Sequence, residues 1–277
     1  MQNQQTSRWI DSSPMQKLKW RGLTRLSRSR WVSNLASGLV LLLGWQLLIT
    51  LGGYKRFILP APLDVWQEFL IVVADGRLLR HTLITLSEIV TGALIGCTIA
   101  AVLGYVLAKS PLAERLVGPY LVASQAIPII AIAPLLSLWI PSTYWSRVLV
   151  AVLVVFFPVL VNVITGLREI SAELYHLMHA LRASRWQTFT LLELPASLPI
   201  LLGGLRVGVT LSVIGALVGE FVQPRSLGLG FMLVTARYQF NTPLVFVILI
   251  TLAALALSMY ALVAIAERRL LFWKEER

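Results

Sequence analysis

Residues 168–199 read REISAELYHLMHALRASRWQTFTLLELPASLP, a polar segment between two long apolar runs. We call it the polar segment. Its first half has the composition of a surface helix, and its second half carries Leu194-Pro195 and Leu198-Pro199. It contains no cofactor or catalytic signature. A polar helix placed between such apolar runs is typical of an element that docks another protein.

The composition of the whole chain indicates a membrane protein. Hydrophobic residues make up 57% of the sequence and charged residues only 13%, whereas about a quarter of a soluble domain is charged. Six apolar runs reach or exceed the roughly 20 residues that a spanning helix needs, and they are too long for barrel strands. The sequence therefore predicts an all-α polytopic fold with six transmembrane helices, at about 33–52, 81–108, 119–140, 146–167, 199–222 and 243–265.

The net charge of +11 follows the predicted topology. Sixteen Lys and Arg residues fall on the side that holds both ends and the 168–198 loop, against seven on the other side. Because cytoplasmic loops are the more basic ones, we expect both termini and this loop to be cytoplasmic. The charge thus points to the lipid bilayer and not to nucleic acid as a partner.

The chain divides by composition into three parts. Residues 1–32 form a basic cytoplasmic tail, for which an interfacial helix on anionic lipid and an unstructured topogenic tail are equally open interpretations. The first apolar run begins too late and is too long for a secretory signal. Residues 33–265 form a single six-helix transmembrane domain containing the loop 168–198. Residues 266–277 form a cytoplasmic C-terminal tail.

Small residues recur along the second and fifth apolar runs, where they let helix backbones approach closely in lipid. We expect them to pack within one subunit, and a seam between two copies is the alternative. The residues are Gly92, Gly96, Ala100, Gly104, Gly204, Gly208, Ser212, Gly215 and Gly219.

Prolines interrupt the third and fourth runs at Pro128, Pro134 and Pro158. Proline frees a backbone carbonyl, and broken membrane helices often line a transport path. The polar side chains one turn away are therefore candidates for a solute path, and hydrogen bonding between helices is the competing interpretation. These candidates are Ser124, Gln125 and Asn162, together with Pro128 itself.

Three ionisable residues lie in or near the runs, and such residues need a partner or a function in lipid. We expect Glu88 to reach the outer interface and Arg206 to extend to the cytoplasmic one. Glu220 either binds a solute, which adds it to the candidate path, or pairs with Arg225 or Arg237.

Motifs for enzymatic chemistry are absent from the sequence. It has no G-x-x-x-x-G-K-[ST], H-E-x-x-H, C-x-x-C or G-x-S-x-G motif. His176 and His179 are three residues apart, but two ligands do not make a zinc site. We therefore expect no catalytic residue, no metal and no cofactor in this chain, and energy for transport must come from another chain.

The polar segment resembles the coupling loop of permease subunits of bacterial ABC importers, whose pattern is E-A-A-x-x-x-G, nine residues, then I-x-L-P. With Leu194-Pro195 aligned, the glycine position falls on Arg182 and the E-A-A on His176, Leu177 and Met178. The glutamate and the glycine are thus replaced, which leaves the geometry of the turn open.

The resemblance extends over nearly the whole chain. Leu59-Pro60-Ala61-Pro62, Phe156-Phe157-Pro158-Val159 and Gly228-Leu229-Gly230 are similar to the sulfonate, taurine and nitrate branch. Ser124-Gln125-x-Ile127-Pro128 and Val218-Gly219-Glu220-Phe221-Val222 look most like permeases for thiamine-precursor pyrimidines and riboflavin.

This resemblance implies a type I importer permease in the bacterial cytoplasmic (inner) membrane. It implies a second permease chain, expected to be identical, two cytoplasmic ABC ATPases that bind ATP and Mg, and a periplasmic or lipid-anchored binding protein. The expected solute is a vitamin-like heterocycle, either a pyrimidine thiamine precursor or riboflavin. A helix at about 172–186 would dock the ATPase through Tyr175, His176, Leu177, His179, Ala180, Leu181, Arg182, Ala183, Ser184 and Arg185.

Two other functions stay open at the level of sequence. The same machinery could import sulfonate, taurine, nitrate or bicarbonate. A different class would be a secondary transporter or a non-transport membrane subunit. Secondary transporters typically show inverted repeats and a charged coupling site, and no clear repeat relates the two halves of this chain.

Overall fold

A computed structural model describes residues 30–223 and 227–271 of the chain, with side chains from residue 36 onward. Every regular element in these ranges is helical, which confirms the predicted all-α class. A π-helical turn at Phe189–Glu193 joins α8 to α9. The helices are α1 (Arg30–Gly52), α2 (Pro62–Ala74), α3 (Arg77–Lys109), α4 (Pro111–Gln125), α5 (Ile129–Trp139), α6 (Thr143–Arg168), α7 (Ala172–Ala180), α8 (Arg185–Thr188), α9 (Leu194–Val222), α10 (Leu229–Tyr238) and α11 (Thr242–Leu270).

Within the described ranges, four helices are long and apolar enough to cross a bilayer: α3, α6, the continuous helix Arg185–Val222 and α11. Helices α4 and α5 together pass the same test, although they are bent by 97° at the break between them. The apolar part of α1, Ala36–Gly52, is shorter. The structure thus accounts for up to five spans, and the count of six stays a prediction.

Both tails fall largely outside the described residues. Of the basic tail at 1–32, residues 1–29 lie outside the described part, so neither of its two interpretations is tested, and most of the C-terminal tail lies in residues 272–277. The cytoplasmic location of the two termini and the three-part division of the chain therefore stay predictions.

The third apolar run, predicted as one span interrupted by prolines, forms two separate helices. Helix α4 ends at Gln125, and α5 begins at Ile129 with Pro128 as its N-cap. Proline lacks the N–H that a helix interior requires, but it is tolerated at a helix start, where that donor has no partner. Pro134 and Pro158, by contrast, lie inside α5 and α6. Of these three prolines, only Pro128 marks a break.

The chain divides into two units after Tyr54. The described part of the first unit is α1, whose side chains are exposed along most of their described length. The second unit, from Lys55 onward, holds the other helices, with α6 packed against both α3 and α9. Leu107, Leu160 and Leu192 belong to one apolar cluster there. Helix α5 packs against α6 and α9, and α11 packs along α9.

The predicted rows of small residues face α6 within the chain. A Cβ atom added to Gly208 of α9 would lie 2.8 Å from a methyl group of Val159, and one added to Gly215 would lie 2.7 Å from the Cα atom of Ala151. On α3, a Cβ atom at Gly96 would lie 3.1 Å from the carbonyl oxygen of Val152. Glycine at these positions lets α3 and α9 approach α6 closely. The rows therefore support packing inside one subunit.

We expect Gly215→Ala to destabilise the protein, because its new methyl group meets backbone that cannot move without separating α6 from α9. Overpacking of this kind costs about 1–3 kcal/mol, so the thermal unfolding midpoint in detergent should fall by several degrees. Gly203→Ala is the matched control on the same helix, since nothing lies within 4 Å of its Cβ position. Equal midpoints for the two variants would contradict the close packing.

Candidate functional site

The polar segment begins with a short exposed helix. None of the residues of α7 is buried, and it ends at Ala180 rather than near residue 186 as predicted. Leu174, Leu177 and Leu181 are 42%, 53% and 68% exposed, and Trp186 is 70% exposed. The three leucines recur at helical spacing, and we call them the exposed apolar patch. An exposed apolar surface of this kind often marks a contact with another protein.

The turn after α7 has the geometry that the family pattern assigns to glycine. The N–H of Arg182 donates to the carbonyl of His179 at 2.9 Å, and the N–H of Ala183 donates to the carbonyl of Met178 at 3.0 Å. This pair of bonds is a Schellman motif, which requires a left-handed residue. Arg182 supplies it with φ 53°, at a cost of roughly 1–2 kcal/mol for a side chain there. The turn is therefore kept although its glycine is replaced.

The next helix begins at Arg185, in the second half of the polar segment. The N–H of Gln187 donates to the Ser184 hydroxyl at 3.2 Å, and the N–H of Ser184 donates to the Gln187 side chain at 2.7 Å. This capping box fixes the start of a helix at Arg185. The helix then continues to Val222. The fifth span was predicted to begin at residue 199, and the structure instead starts its helix fourteen residues earlier, at Arg185.

The two Leu-Pro pairs lie inside this continuous helix. Pro195 has no N–H to donate, and the π-helical turn Phe189–Glu193 directly precedes it. A wider turn relieves the clash between a proline ring and the preceding turn of helix. Pro199 is accommodated one turn later.

A buried carboxylate, Glu193, connects the polar segment to the spans. It is 3% exposed. One of its oxygens accepts from the ammonium of Lys109 at the end of α3, and the other accepts from the Tyr105 hydroxyl at 3.0 Å. The Lys109 ammonium also donates to the hydroxyl of Tyr175 in α7 at 3.3 Å and lies 4.7 Å from the centroid of its ring. We call these four residues the inner cluster.

A cavity of about 550 Å³ borders the inner cluster and is lined in part by His179 and Arg185. In the family pattern I-x-L-P, Glu193 falls on the variable position, so the sequence did not single it out. An acidic residue near the start of an apolar helix was the signal available, but its partner, Lys109, lies 84 residues away in the chain.

A second buried cluster joins the opposite ends of α3, α6 and α9. The Arg147 guanidinium donates to Glu88 at 2.9 Å, to the carbonyl of Leu227 at 2.8 Å and to the side chain of Gln223 at 3.1 Å. Glu88 is 0% exposed, so the expectation that it reaches the interface is wrong. Arg147 is one of the seven basic residues that the predicted topology places on the non-cytoplasmic side, yet it is only 2% exposed. In lipid, each charge is tolerated because the other lies beside it.

Glu220 belongs to this second cluster, which we call the outer cluster and which also holds Thr85, Glu88, Arg147 and Gln223. Its carboxylate accepts from the Thr85 hydroxyl at 2.6 Å and from the N–H of Gly230, and the residue is 1% exposed. It therefore fastens the start of α10 to α3. Arg237 is exposed and forms no ion pair with it among the described residues, while Arg225 lies outside them. The structure gives Glu220 no face open to a solute in this conformation.

The other predicted path residues lie in two places. Ser124 is half-buried near the end of α4, and Gln125 and Pro128 are exposed at the break before α5. Asn162 donates to the carbonyl of Pro158 at 2.7 Å, a bond within α6, and its side chain packs against Gly204. Among the described residues, the hydrogen bonds of Ser124 and Asn162 lie within their own helices, α4 and α6.

Arg206 has a partner that the sequence did not reveal. Its guanidinium donates to Glu267 of α11 and lies 5.0 Å from the centroid of the Tyr260 ring. Its side chain is 30% exposed. The extension of Arg206 to the cytoplasmic interface stays a prediction, and its partner was missed because that prediction considered one helix without its neighbour.

Comparison with known proteins identifies the family. Residues 93–272 match the family described as "Binding-protein-dependent transport system inner membrane component". The chain is a member of this permease family. It is 44% identical over 85% of its length to the riboflavin transport system permease protein RibX of Chloroflexus aurantiacus, of which 88% is covered. It is 34% identical over 86% of its length to the formylaminopyrimidine transport permease protein ThiX of Halalkalibacterium halodurans, of which 94% is covered.

More distant proteins agree with this assignment. The taurine transport system permease protein TauC of Escherichia coli is 26% identical over 94% of this permease and 95% of its own length. A solved structure of the MetNI methionine ABC transporter in inward facing conformations matches with a TM-score of 0.64 at 18% identity. That match covers 71% of this permease and 97% of the other chain, and it shows the shared fold.

The permease is therefore the multi-pass inner-membrane subunit of an ABC importer. It is not itself an enzyme. ATPase subunits supply the hydrolysis, and a substrate-binding protein delivers the solute. These conclusions confirm the resemblance drawn from the polar segment.

We expect Arg147→Met to destabilise the permease strongly, because it leaves the buried Glu88 carboxylate without its cation. Breaking one side of a buried ion pair costs about 3–5 kcal/mol, which thermal unfolding in detergent should detect. Arg77→Met is the control. It removes an ion pair with Asp75 whose side chains are 53% and 37% exposed, and such pairs contribute at most about 1 kcal/mol. If the two variants unfold at the same temperature, the outer cluster does not carry this stabilisation.

Proposed function

We propose that this permease imports a small uncharged heterocycle, of the riboflavin or thiamine-precursor pyrimidine class, and that α7 with the start of α8 docks the ABC ATPase. The observation that carries the substrate proposal is the identity of 44% and 34% to the riboflavin and formylaminopyrimidine permeases over most of each chain. The taurine relative is less similar, at 26%. Import of taurine or another sulfonate is the alternative that this relative supports.

The chemistry of the proposed path favours the heterocycle. Ser124, Gln125 and Asn162 offer neutral donors and acceptors, which suit the ring nitrogens and carbonyls of such a solute. A sulfonate is a permanent anion and would need a cationic partner in lipid. The buried cation Arg147 is already paired with Glu88.

The break between α4 and α5 supports a path at that place. Ala126, Ile127 and Pro128 have exposed side chains where the helix is interrupted. Irregular backbone at membrane depth is tolerated only where it contacts protein or lines a water-filled cavity. We therefore propose that the break faces the path and a second permease chain, most simply an identical copy.

The docking proposal depends on the exposed apolar patch. Leu174, Leu177 and Leu181 give a surface that can enter a groove, and polar side chains surround it for orientation. The proposed docking residues are those predicted from the sequence: Tyr175, His176, Leu177, His179, Ala180, Leu181, Arg182, Ala183, Ser184 and Arg185. The partner ATPases would bind ATP and Mg.

The continuous helix from Arg185 to Val222 suggests how docking drives transport. When ATP closes the ATPase pair, α7 and α8 move with it. Because α8 and α9 belong to one helix interrupted only by the π-helical turn, this movement reaches the far side of the membrane. A rigid-body displacement of this kind switches a transporter between inward and outward access.

We expect Leu177→Asp to abolish co-purification of the permease with its ATPase, since a desolvated carboxylate would stand in the proposed groove. Folding should be unaffected, because Leu177 is 53% exposed. The control is Leu112→Asp, which changes a leucine that is 68% exposed at the start of α4. Normal ATPase recovery with Leu177→Asp would refute docking through α7.

The substrate is tested by uptake of labelled riboflavin, formylaminopyrimidine and taurine in cells that carry the complete transporter. We expect accumulation of one of the two heterocycles and none of taurine. Loss of the signal with Leu177→Asp is the control for ATP-driven import. Accumulation of taurine alone would overturn the proposed substrate class and leave the docking proposal standing.

A further inference from the structure

The coupling helix α7 is attached to the spans by few contacts. Tyr175 and Met178 are its half-buried side chains, and both pack against the apolar cluster of α3 and α6. The polar attachment is the inner cluster, in which Lys109 contacts Tyr175 on one side and Glu193 on the other. A force on α7 therefore reaches α3 and the start of α9 through the same ammonium group.

We infer that Glu193 is a positioning residue that fixes α7 relative to α3 and α9, and so determines how much transport each hydrolysed ATP yields. This inference rests on the proposed docking function of α7. It concerns the transmission of movement inside the permease, which docking alone does not specify.

The bonding of Glu193 supports this role. The carboxylate is buried, and each of its two oxygens has a donor, Lys109 or Tyr105, both from the last turns of α3. A buried carboxylate keeps its cation close, because separation would leave the carboxylate unpaired inside the protein. Lys109 is thereby held where its ammonium meets the ring and the hydroxyl of Tyr175.

The position of Glu193 in its helix adds a second, independent reason. It is the last residue of the π-helical turn Phe189–Glu193, between α8 and α9. Such turns are common at functional sites, and they interrupt the regular hydrogen bonding of a helix. Any change in the angle between the docking segment and α9 passes through this turn. Because Glu193 stands at the end of this turn and is bonded to α3, it sets the point about which the helix can bend.

The same end of the molecule offers a matched comparison. Arg168 at the end of α6 pairs with Glu114 of α4, but these side chains are 47% and 37% exposed. Neither of them contacts α7 in the described hydrogen bonds and ion pairs. This pair is exposed and links helices other than α7, so its loss should leave coupling unchanged.

The test uses the complete transporter, with its ATPases and binding protein, in proteoliposomes. Uptake of solute and release of phosphate are measured together for Glu193→Gln, with Glu114→Gln as the control. We expect Glu193→Gln to retain its ATPase subunits but to lower uptake per ATP about 5-fold or more, the lower bound of typical coupling between sites. Glu114→Gln should keep the wild-type ratio. A wild-type ratio in Glu193→Gln overturns the inference.

Two further variants test the inference if Glu193→Gln does not fold. Tyr175→Ala leaves the Glu193–Lys109 ion pair intact. Because Tyr175 is also a proposed docking residue, this variant is measured in complexes that retain their ATPase subunits, where uptake per ATP should fall in the same way. Lys109→Arg keeps the cation and should keep the ratio. Wild-type coupling in Tyr175→Ala would also overturn the inference. Failure of the docking proposal is distinguishable, because it appears as normal ATPase recovery with Leu177→Asp.

Discussion

The close approach of α3 and α9 to α6 is the contact on which the other features of this permease depend. Lipid solvates apolar side chains as well as a protein interior does, so helices associate here through van der Waals contact and not through the hydrophobic effect. Glycines such as Gly96 and Gly215 make that contact possible, because a methyl group at either position would press on the backbone of α6. The three helices can then be treated as one body, and the functional elements are attached to its ends and sides.

The two polar clusters occupy opposite ends of this three-helix body. At the outer end, Arg147 and Glu88 neutralise each other inside the protein, and Glu220 holds the start of α10. At the inner end, Glu193 and Lys109 connect the body to α7. Close packing along the middle of the helices brings these partners within hydrogen-bond distance, and the buried pairs in turn fix the helices against sliding. In the proposed mechanism, a movement imposed at the inner end is therefore expected to reach the outer end through this body.

Much of the site was predictable because it depends on local patterns. The exposed stripe of Leu174, Leu177 and Leu181 follows from helical spacing. The family pattern placed the glycine position on Arg182, but only the structure showed that the left-handed turn is kept there. The partners of Glu88, Glu193 and Arg206 were not predictable, since each lies more than 50 residues away on another helix. The sequence also could not show that the break falls at Pro128, because Pro134 and Pro158 carry the same local signal and yet lie inside helices.

By itself, the sequence determined the membrane class, the helical architecture, the polar segment and its family. These properties depend on composition, apolar run length and short motifs, which a chain carries without folding. Only the tertiary structure decided that Glu220 bonds to Thr85 and Gly230, that the helix of the fifth span begins at Arg185, and that the polar segment is anchored through Glu193. The physical reason is that a charge in lipid is placed by whichever opposite charge or donor the fold brings to it, and that pairing exists only once the helices have packed.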